Sequence, residues 1–163
     1  MEEMLLKAKS EGIEHVIFGD IFLEDLRIYR ENKMKEIGMH AVFPLWKRAT
    51  SELIQSFIGK GFKTITCCVN DAQLDESWVG KEINSKFIND LPENVDPCGE
   101  NGEYHTFCYA GPIFKKKINF QVGEKIYKPL DVKLDTTCNS DSKKNQTKGF
   151  WYCELLKGFG YDK

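Results

Sequence analysis

The sequence predicts an α/β protein in two parts, and three observations carry that prediction. Short apolar runs alternate with amphipathic stretches through residues 1–72. Glycines follow the amphipathic stretches, where helices stop. Past residues 70–76 the alternation gives way to strand-like segments and polar loops. Alternating elements with short connections argue for a parallel sheet with crossover helices in residues 1–72. Residues 73–163 read as a small α+β domain.

Residues 2–11 read as a helix, with Met4, Leu5 and Ala8 on one face, Glu2 and Glu3 in the first turn and Gly12 as the stop. His15-Val16-Ile17-Phe18 is nearly continuous apolar sequence, the pattern of a strand buried on both faces. A second helix runs from about Leu23 to Ile37 on the stripe Leu26, Tyr29/Arg30, Lys33/Met34, Ile37, and Gly38 stops it. Ala41-Val42-Phe43 is a second strand, ending at Pro44-Leu45-Trp46. Thr50 or Ser51 can cap a third helix that carries Leu53, Ile54, Phe57 and Ile58 on one face and closes at Gly59 and Gly61. Phe62 to Val69, rich in β-branched and aromatic residues, is the third strand. Ligands of parallel sheets sit beyond the C-terminal ends of the strands. Those ends are Gly19-Asp20, Pro44-Leu45-Trp46 and Asn70-Asp71. Asp20 is the best-placed polar residue among them, either as a ligand contact or as the cap of the next helix.

In the second part, Trp78, Val79, Ile83, Phe87, Ile88 and Leu91 trace a helical face ended by Pro92. Ile118, Phe120 and Val122 alternate with Asn119 and Gln121, as in a half-buried strand. Gly123 breaks it, and Lys125 to Leu134 returns as another strand, with Pro129 demoting part of it to an edge. Residues 135–149 are polar throughout and read as an exposed loop, and residues 150–156 form a further strand.

Composition narrows the class. With 41% apolar and 29% charged residues, the chain can bury a core. Its 23 basic residues stand against 25 acidic ones, so bulk charge favours neither nucleic acid nor a membrane surface. The 6 cysteines include no Cys-x-x-Cys pair, and Cys67-Cys68 lies in an apolar run, as buried thiols do. The start, Met1-Glu2-Glu3-Met4-Leu5-Leu6, lacks the cationic beginning of a signal peptide, and no stretch is apolar enough to span a membrane. A reduced, cytoplasmic protein is expected.

The densest chemistry lies in Asp96-Pro97-Cys98-Gly99-Glu100-Asn101-Gly102-Glu103-Tyr104-His105-Thr106-Phe107. Gly99 and Gly102 allow a sharp bend, and Glu100, Glu103 and His105 offer acid, base or ligand groups. If His105 starts a strand, Glu103 and His105 share a face and Thr106 takes the other. The structural alternative is a hydrogen-bonded cluster that stabilises the turn. Cys98, His105 and Cys108, with Cys67 or Cys68, match no common zinc spacing, and Cys98 with His105 matches no nucleophile signature, so no metal site is expected.

Ile17-Phe18-Gly19-Asp20-Ile21-Phe22, then Arg27 and Glu31, Pro44-Leu45-Trp46, Gly61-Phe62, the stretch from Asp96 to Thr106, and Gly111-Pro112-Ile113-Phe114 resemble the diphthine–ammonia ligase family. That family belongs to the PP-loop ATP pyrophosphatases, and the likeness covers roughly residues 1–127. It implies the C-terminal part of an adenine-nucleotide α-hydrolase-like (Rossmann-like) parallel-sheet domain, followed by a small family-specific domain. It also implies an ATP-dependent ligase: ATP with Mg2+ adenylates a carboxylate on a modified histidine of an elongation factor, and ammonia displaces AMP. Gly19 and Asp20 would then lie near the nucleotide or its magnesium. Glu100, Glu103 and His105 would line the acceptor site, with Glu103 or His105 taking a proton from ammonia. Gly99, Gly102, Thr106 and Trp46 would contact the substrate, a protein-borne or small-molecule carboxylate.

The family's Ser-Gly-Gly-x-Asp-Ser phosphate loop has no counterpart here, since the sequence contains no Gly-Gly pair. The chain thus resembles the C-terminal two-thirds of a family member. A loop-bearing chain or a second copy is expected to complete its sheet. Two other readings stay open: a non-catalytic binding or regulatory module, and one half of a split enzyme.

Overall fold

Three helices end in the same way, and those endings set where the next strands begin. The computed structural model describes residues 2–130 and 147–158. In it α1 (Glu2–Ser10), α2 (Glu24–Glu36) and α3 (Thr50–Gly59) are each followed by a glycine of positive φ: Gly12 at 89°, Gly38 at 65° and Gly61 at 82°. The glycine N–H bonds back three residues and the next N–H bonds back five, as in Gly61 N to Ile58 O (2.9 Å) and Phe62 N to Phe57 O (3.3 Å). This is the Schellman ending, which favours glycine at the left-handed position and an apolar contact across the turn. That contact is the stack of Phe57 on Phe62, with ring centroids 4.7 Å apart.

The chain divides into two compact units, Met1–Thr50 and Ser51–Lys163. The break falls earlier than the boundary expected between residues 72 and 73. In the first unit, β1 (His15–Ile17) and β2 (His40–Val42) pair in parallel, His15 opposite His40 and Ile17 opposite Val42. Phe18 N donates to Val42 O (2.9 Å) and His40 N to Glu14 O (2.8 Å), extending the ladder. The expectation that β1 is buried on both faces does not hold, because Ile17 is 71% exposed and His15 is also exposed. The apolar run was real, but among the described residues β2 alone flanks β1.

In the second unit, β3 (Lys63–Asn70), β4 (Tyr104–Ala110), β5 (Phe120–Pro129) and β6 (Gly149–Lys157) form an antiparallel sheet in the order β4-β3-β6-β5. The fold class is therefore mixed α/β with one parallel and one antiparallel sheet. The third strand lies where expected but in the other sheet, since β-branched content marks a strand and says nothing of its partner. The helix expected across Trp78–Leu91 is also corrected. A 3-10 turn (Glu76–Trp78) precedes an extended segment, and Asn84 caps a short α4 (Ser85–Asp90) by accepting from Phe87 N at 3.0 Å. Gly80 N donates to Thr66 O and Thr66 N to Lys81 O, both at 2.9 Å, so this segment lies alongside β3. Gly123 does not divide two strands but sits in a bulge of β5, between Val122 and Lys125. The strand is an edge strand, as anticipated from Pro129, but it ends at that proline, and residues 131–134 of the expected strand lie outside the described residues. The polar loop expected over 135–149 falls mostly outside the described residues.

The second unit's core joins Ile54 of α3 to Val69, Leu74, Val79, Ile83, Phe87, Val95, Tyr104 and Cys153. Phe87 sits edge-on to both Trp78 (5.2 Å) and Tyr104 (5.8 Å). This core fixes the start of β4, and with it the loop that leads into β4.

Asp71 fastens the end of β3 to β5 and β6. Its Oδ2 accepts from the Tyr127 hydroxyl (2.8 Å) and its Oδ1 from the amides of Lys148 (2.9 Å) and Gly149 (3.2 Å). Partial burial works upward on this carboxyl, but the hydrogen bonds from Tyr127, Lys148 and Gly149 outweigh it and hold the pKa below the ordinary 3.8. A carboxyl depressed in the folded state contributes stability above its unfolded pKa and loses it as pH falls through the folded value. The melting-temperature gap between the wild type and Asp71→Asn is therefore expected to be widest near pH 7 and to close as pH falls below about 4. A gap that stays constant down to pH 3 would show that the charge of Asp71 plays no part.

Candidate functional site

The two stretches singled out in the first unit meet at the C-terminal ends of β1 and β2. The turn after β2 runs through Pro44, Leu45 and Trp46 to Lys47, which holds a φ of 59°. Lys47 N donates to Ile21 O (2.7 Å), which ties this turn to the loop after β1 that carries Gly19 and Asp20. Asp20 does not cap α2: the capping position is Leu23, with no side-chain bond. Instead Asp20 is buried with its Oδ2 2.6 Å from Arg30 Nε, an ion pair that lies off the hydrogen-bonding axis. Arg30 also lies over the Phe18 ring at 4.6 Å. Trp46 is half-buried, edge-on to Phe43, with the guanidinium of Arg27 over its ring at 4.6 Å. The third predicted strand end, Asn70-Asp71, lies in the second unit, at the end of β3.

In the second unit, the loop before β4 is held from inside. Asp96 Oδ1 accepts from Cys98 N (2.8 Å) and Glu100 N (3.3 Å). Gly99 (φ 70°) and Gly102 (φ 83°) make the two reversals that return the chain to β4. Glu103 closes the loop: it is buried, and it accepts from Asp96 N (3.0 Å), Asn101 N (2.9 Å) and Asn101 Nδ2 (3.0 Å). Its own carbonyl accepts from Asn70 N of β3 (2.9 Å). Tyr104 donates its hydroxyl to Pro97 O, and burial pushes that hydroxyl above its ordinary pKa.

The expected pairing of Glu103 and His105 on one face is not what the structure has. Glu103 is buried, while His105 and Thr106 are both exposed. Glu103 precedes the strand, so the alternation of a pleated chain does not reach it. A register shift between Thr66 and Cys68, opposite Thr106 and His105, disturbs the alternation further along. Glu100 is half-buried beside the loop. The Cys98 thiol is pushed up to about 11, by burial first and by the charges of Asp96 and Glu100 second, so at neutral pH it is a thiol and not a nucleophile. Among the described residues no three His, Cys, Asp or Glu side chains converge in a metal-binding group. No helix there is long and apolar enough to cross a membrane. The sequence reading placed Arg30 in a helical stripe and quoted Arg27 with Glu31 for the resemblance but gave neither arginine a site role, although Arg27 and Glu31 stand four apart on a helix face, the spacing of an ion pair.

These features define a mixed α/β protein whose second unit pairs an antiparallel sheet with a glycine-hinged, carboxylate-closed loop. The chain belongs to the family described as the diphthamide synthase C-terminal domain, whose model matches residues 49–135, starting at the head of the second unit. Among curated relatives, a protein named diphthine–ammonia ligase from Rattus norvegicus is 32% identical over 135 residues, covering 80% of this chain and 51% of the relative. Proteins of the same name from Bos taurus and Homo sapiens are 31% and 30% identical over the same length and with the same coverage. The chain spans about half the length of these curated relatives.

Proposed function

We propose that this chain serves ATP-dependent amide formation of the diphthine–ammonia ligase type, contributing the acceptor side of the site. The observation that carries this reading is the family match, which starts with the second unit and takes in the whole loop from Asp96 to Thr106. Of the two proton acceptors named for the ammonia step, His105 is the exposed one. Glu103, buried among three donors, is proposed to hold the loop in shape while Glu100, Thr106 and the backbone at Gly99 and Gly102 face the acceptor. That acceptor is a carboxylate, protein-borne or small, in a cytoplasmic setting.

The described residues do not by themselves fit ATP and Mg2+. No Gly-Gly phosphate loop occurs, and the carboxylate of Asp20 already faces Arg30. We therefore assign the nucleotide phosphates to a loop-bearing chain, with Gly19, Asp20 and Trp46 at its margin. Such a chain, or a second copy, would complete a Rossmann-like parallel sheet. The exposure of Ile17 (71%) and Val42 (37%) supports this, because parallel sheets are ordinarily covered on both faces. The Asp20–Arg30 pair also favours a second reading, a binding module that takes the acceptor without regard to ATP.

The test is conversion of ATP to AMP by the chain with ammonia and an acceptor carboxylate, with and without a phosphate-loop segment supplied in trans. Turnover is expected only with the segment, and His105→Ala is expected to cut it more than tenfold without lowering the melting temperature. No turnover in either mixture would defeat the enzyme reading, and acceptor binding indifferent to ATP would establish the module.

A further inference from the structure

Arg27 is held in a way that leaves most of its hydrogen-bonding capacity unused. It lies on α2, and its Nε donates to Glu31 Oε1 at 2.8 Å, one turn further on. Its guanidinium carbon is 4.6 Å from the centroid of the Trp46 ring and 5.1 Å from that of Phe43. Only Nε is engaged in this way; no described residue accepts from the two terminal nitrogens, and the side chain is 33% exposed. The aromatic rings belong to the end of β2 and the turn after it, the turn that Lys47 N ties to the loop after β1. The planar group is thus fixed at the C-terminal ends of two parallel strands, where ligands of such sheets bind.

An arginine at an open surface pays rotamer entropy when it closes on a ligand, and one already clamped by rings and a carboxylate pays less. Its outer edge presents parallel N–H groups that match a carboxylate or a phosphate with two bonds at once. Glu31 directs that edge outward by occupying Nε. Arg30 alongside is also paired through Nε, but with a buried carboxylate, Asp20, and it lies over the Phe18 ring and not over Trp46 and Phe43.

We propose that Arg27, clamped by Trp46, Phe43 and Glu31, is an oxyanion-binding residue that takes a planar carboxylate or a phosphate in bidentate fashion. The proposal rests on the ligase reading for the ligand's identity, because both anions occur in that reaction.

The experiment is calorimetric titration of the full chain with AMP, inorganic pyrophosphate and imidazole-4-propionate, the last a carboxylate without phosphate. Wild type, Arg27→Lys and Arg27→Gln are compared, and the melting temperature of each is measured alongside. The expected result is that the wild type binds at least one of these anions, that both variants lose at least tenfold in affinity for it, and that all three melt within a few degrees of one another. Loss confined to AMP and pyrophosphate assigns the fork to the nucleotide, and loss confined to the propionate assigns it to the acceptor. Full affinity in Arg27→Lys would overturn the fork in favour of a point charge. Absence of anion binding by the wild type, or loss only in step with melting, would overturn the proposal altogether. Binding is read without turnover, so it can succeed or fail independently of the ligase reading.

Discussion

Glu103→Ala is expected to cost about 3 kcal/mol of folding stability, read as a lower urea midpoint at unchanged slope. The carboxylate is 2% exposed and satisfies two backbone amides and one side-chain amide. Alanine would remove the acceptor of Asp96 N and of both donors of the exposed Asn101, so three hydrogen bonds to a buried charged group are lost together. Glu103→Gln should be milder, about 1–2 kcal/mol, because one oxygen can still accept while the amide nitrogen turns a donor toward a donor. The order wild type, Gln, Ala is the signature of a residue that supports the loop. If Ala melts like the wild type, the loop does not depend on Glu103. Turnover of the Gln variant well below its melting point then separates support of the loop from chemistry.

Gly99→Ala and Gly102→Ala should differ sharply although both glycines have positive φ. At Gly102 a Cβ would meet nothing within 4 Å, so the cost is the left-handed backbone alone, about 1 kcal/mol. At Gly99 the φ is 70°, and the Cβ would stand 2.9 Å from the carbonyl oxygen of Tyr104 and 3.1 Å from its ring. That carbonyl belongs to the first residue of β4, and the ring is packed against Phe87. Neither can give way cheaply, and strain and overlap together should cost roughly 3 kcal/mol. Thermal melts of the two variants check this, and equal shifts would mean that the contact with Tyr104 is not rigid.

The elements of this chain were largely legible because local chemistry writes them. Gly12, Gly38 and Gly61 mark helix ends that need a left-handed residue, and the helices end there. The partner of β3 was not legible. Its first half bonds on one side to β4 and on the other to the segment around Lys81, and its last residues pair with β6. No pattern within β3 encodes those distant choices. The same limit applied to Val79 and Ile83, which were read as part of a helical face: both lie in the core, but an extended segment delivers them there and not a helix. In the candidate site, the residue types of the loop were legible but their roles were not. Whether Glu103 faces a ligand or its own loop depends on where Asp96 N and Asn101 lie, and only the fold brings them within 3.0 Å. Asp20 was likewise visible as an acid at a strand end, while its countercharge, Arg30, comes from the following helix.

The strand order has a consequence for how this protein is made. β3 pairs with β4 through a connection of moderate length, so that half of the sheet can form as soon as Ala110 is available. Its other neighbour, β6, begins at Gly149, where Asn70 meets Phe150. Until that stretch leaves the ribosome, the far edge of Cys68 and Val69 stays open, and closing it requires a long loop whose entropy is lost before any pairing is gained. Completion of the second unit is therefore deferred until residues 149–157 have been made, and any nascent chain stalled before residue 149 carries an unpaired central strand.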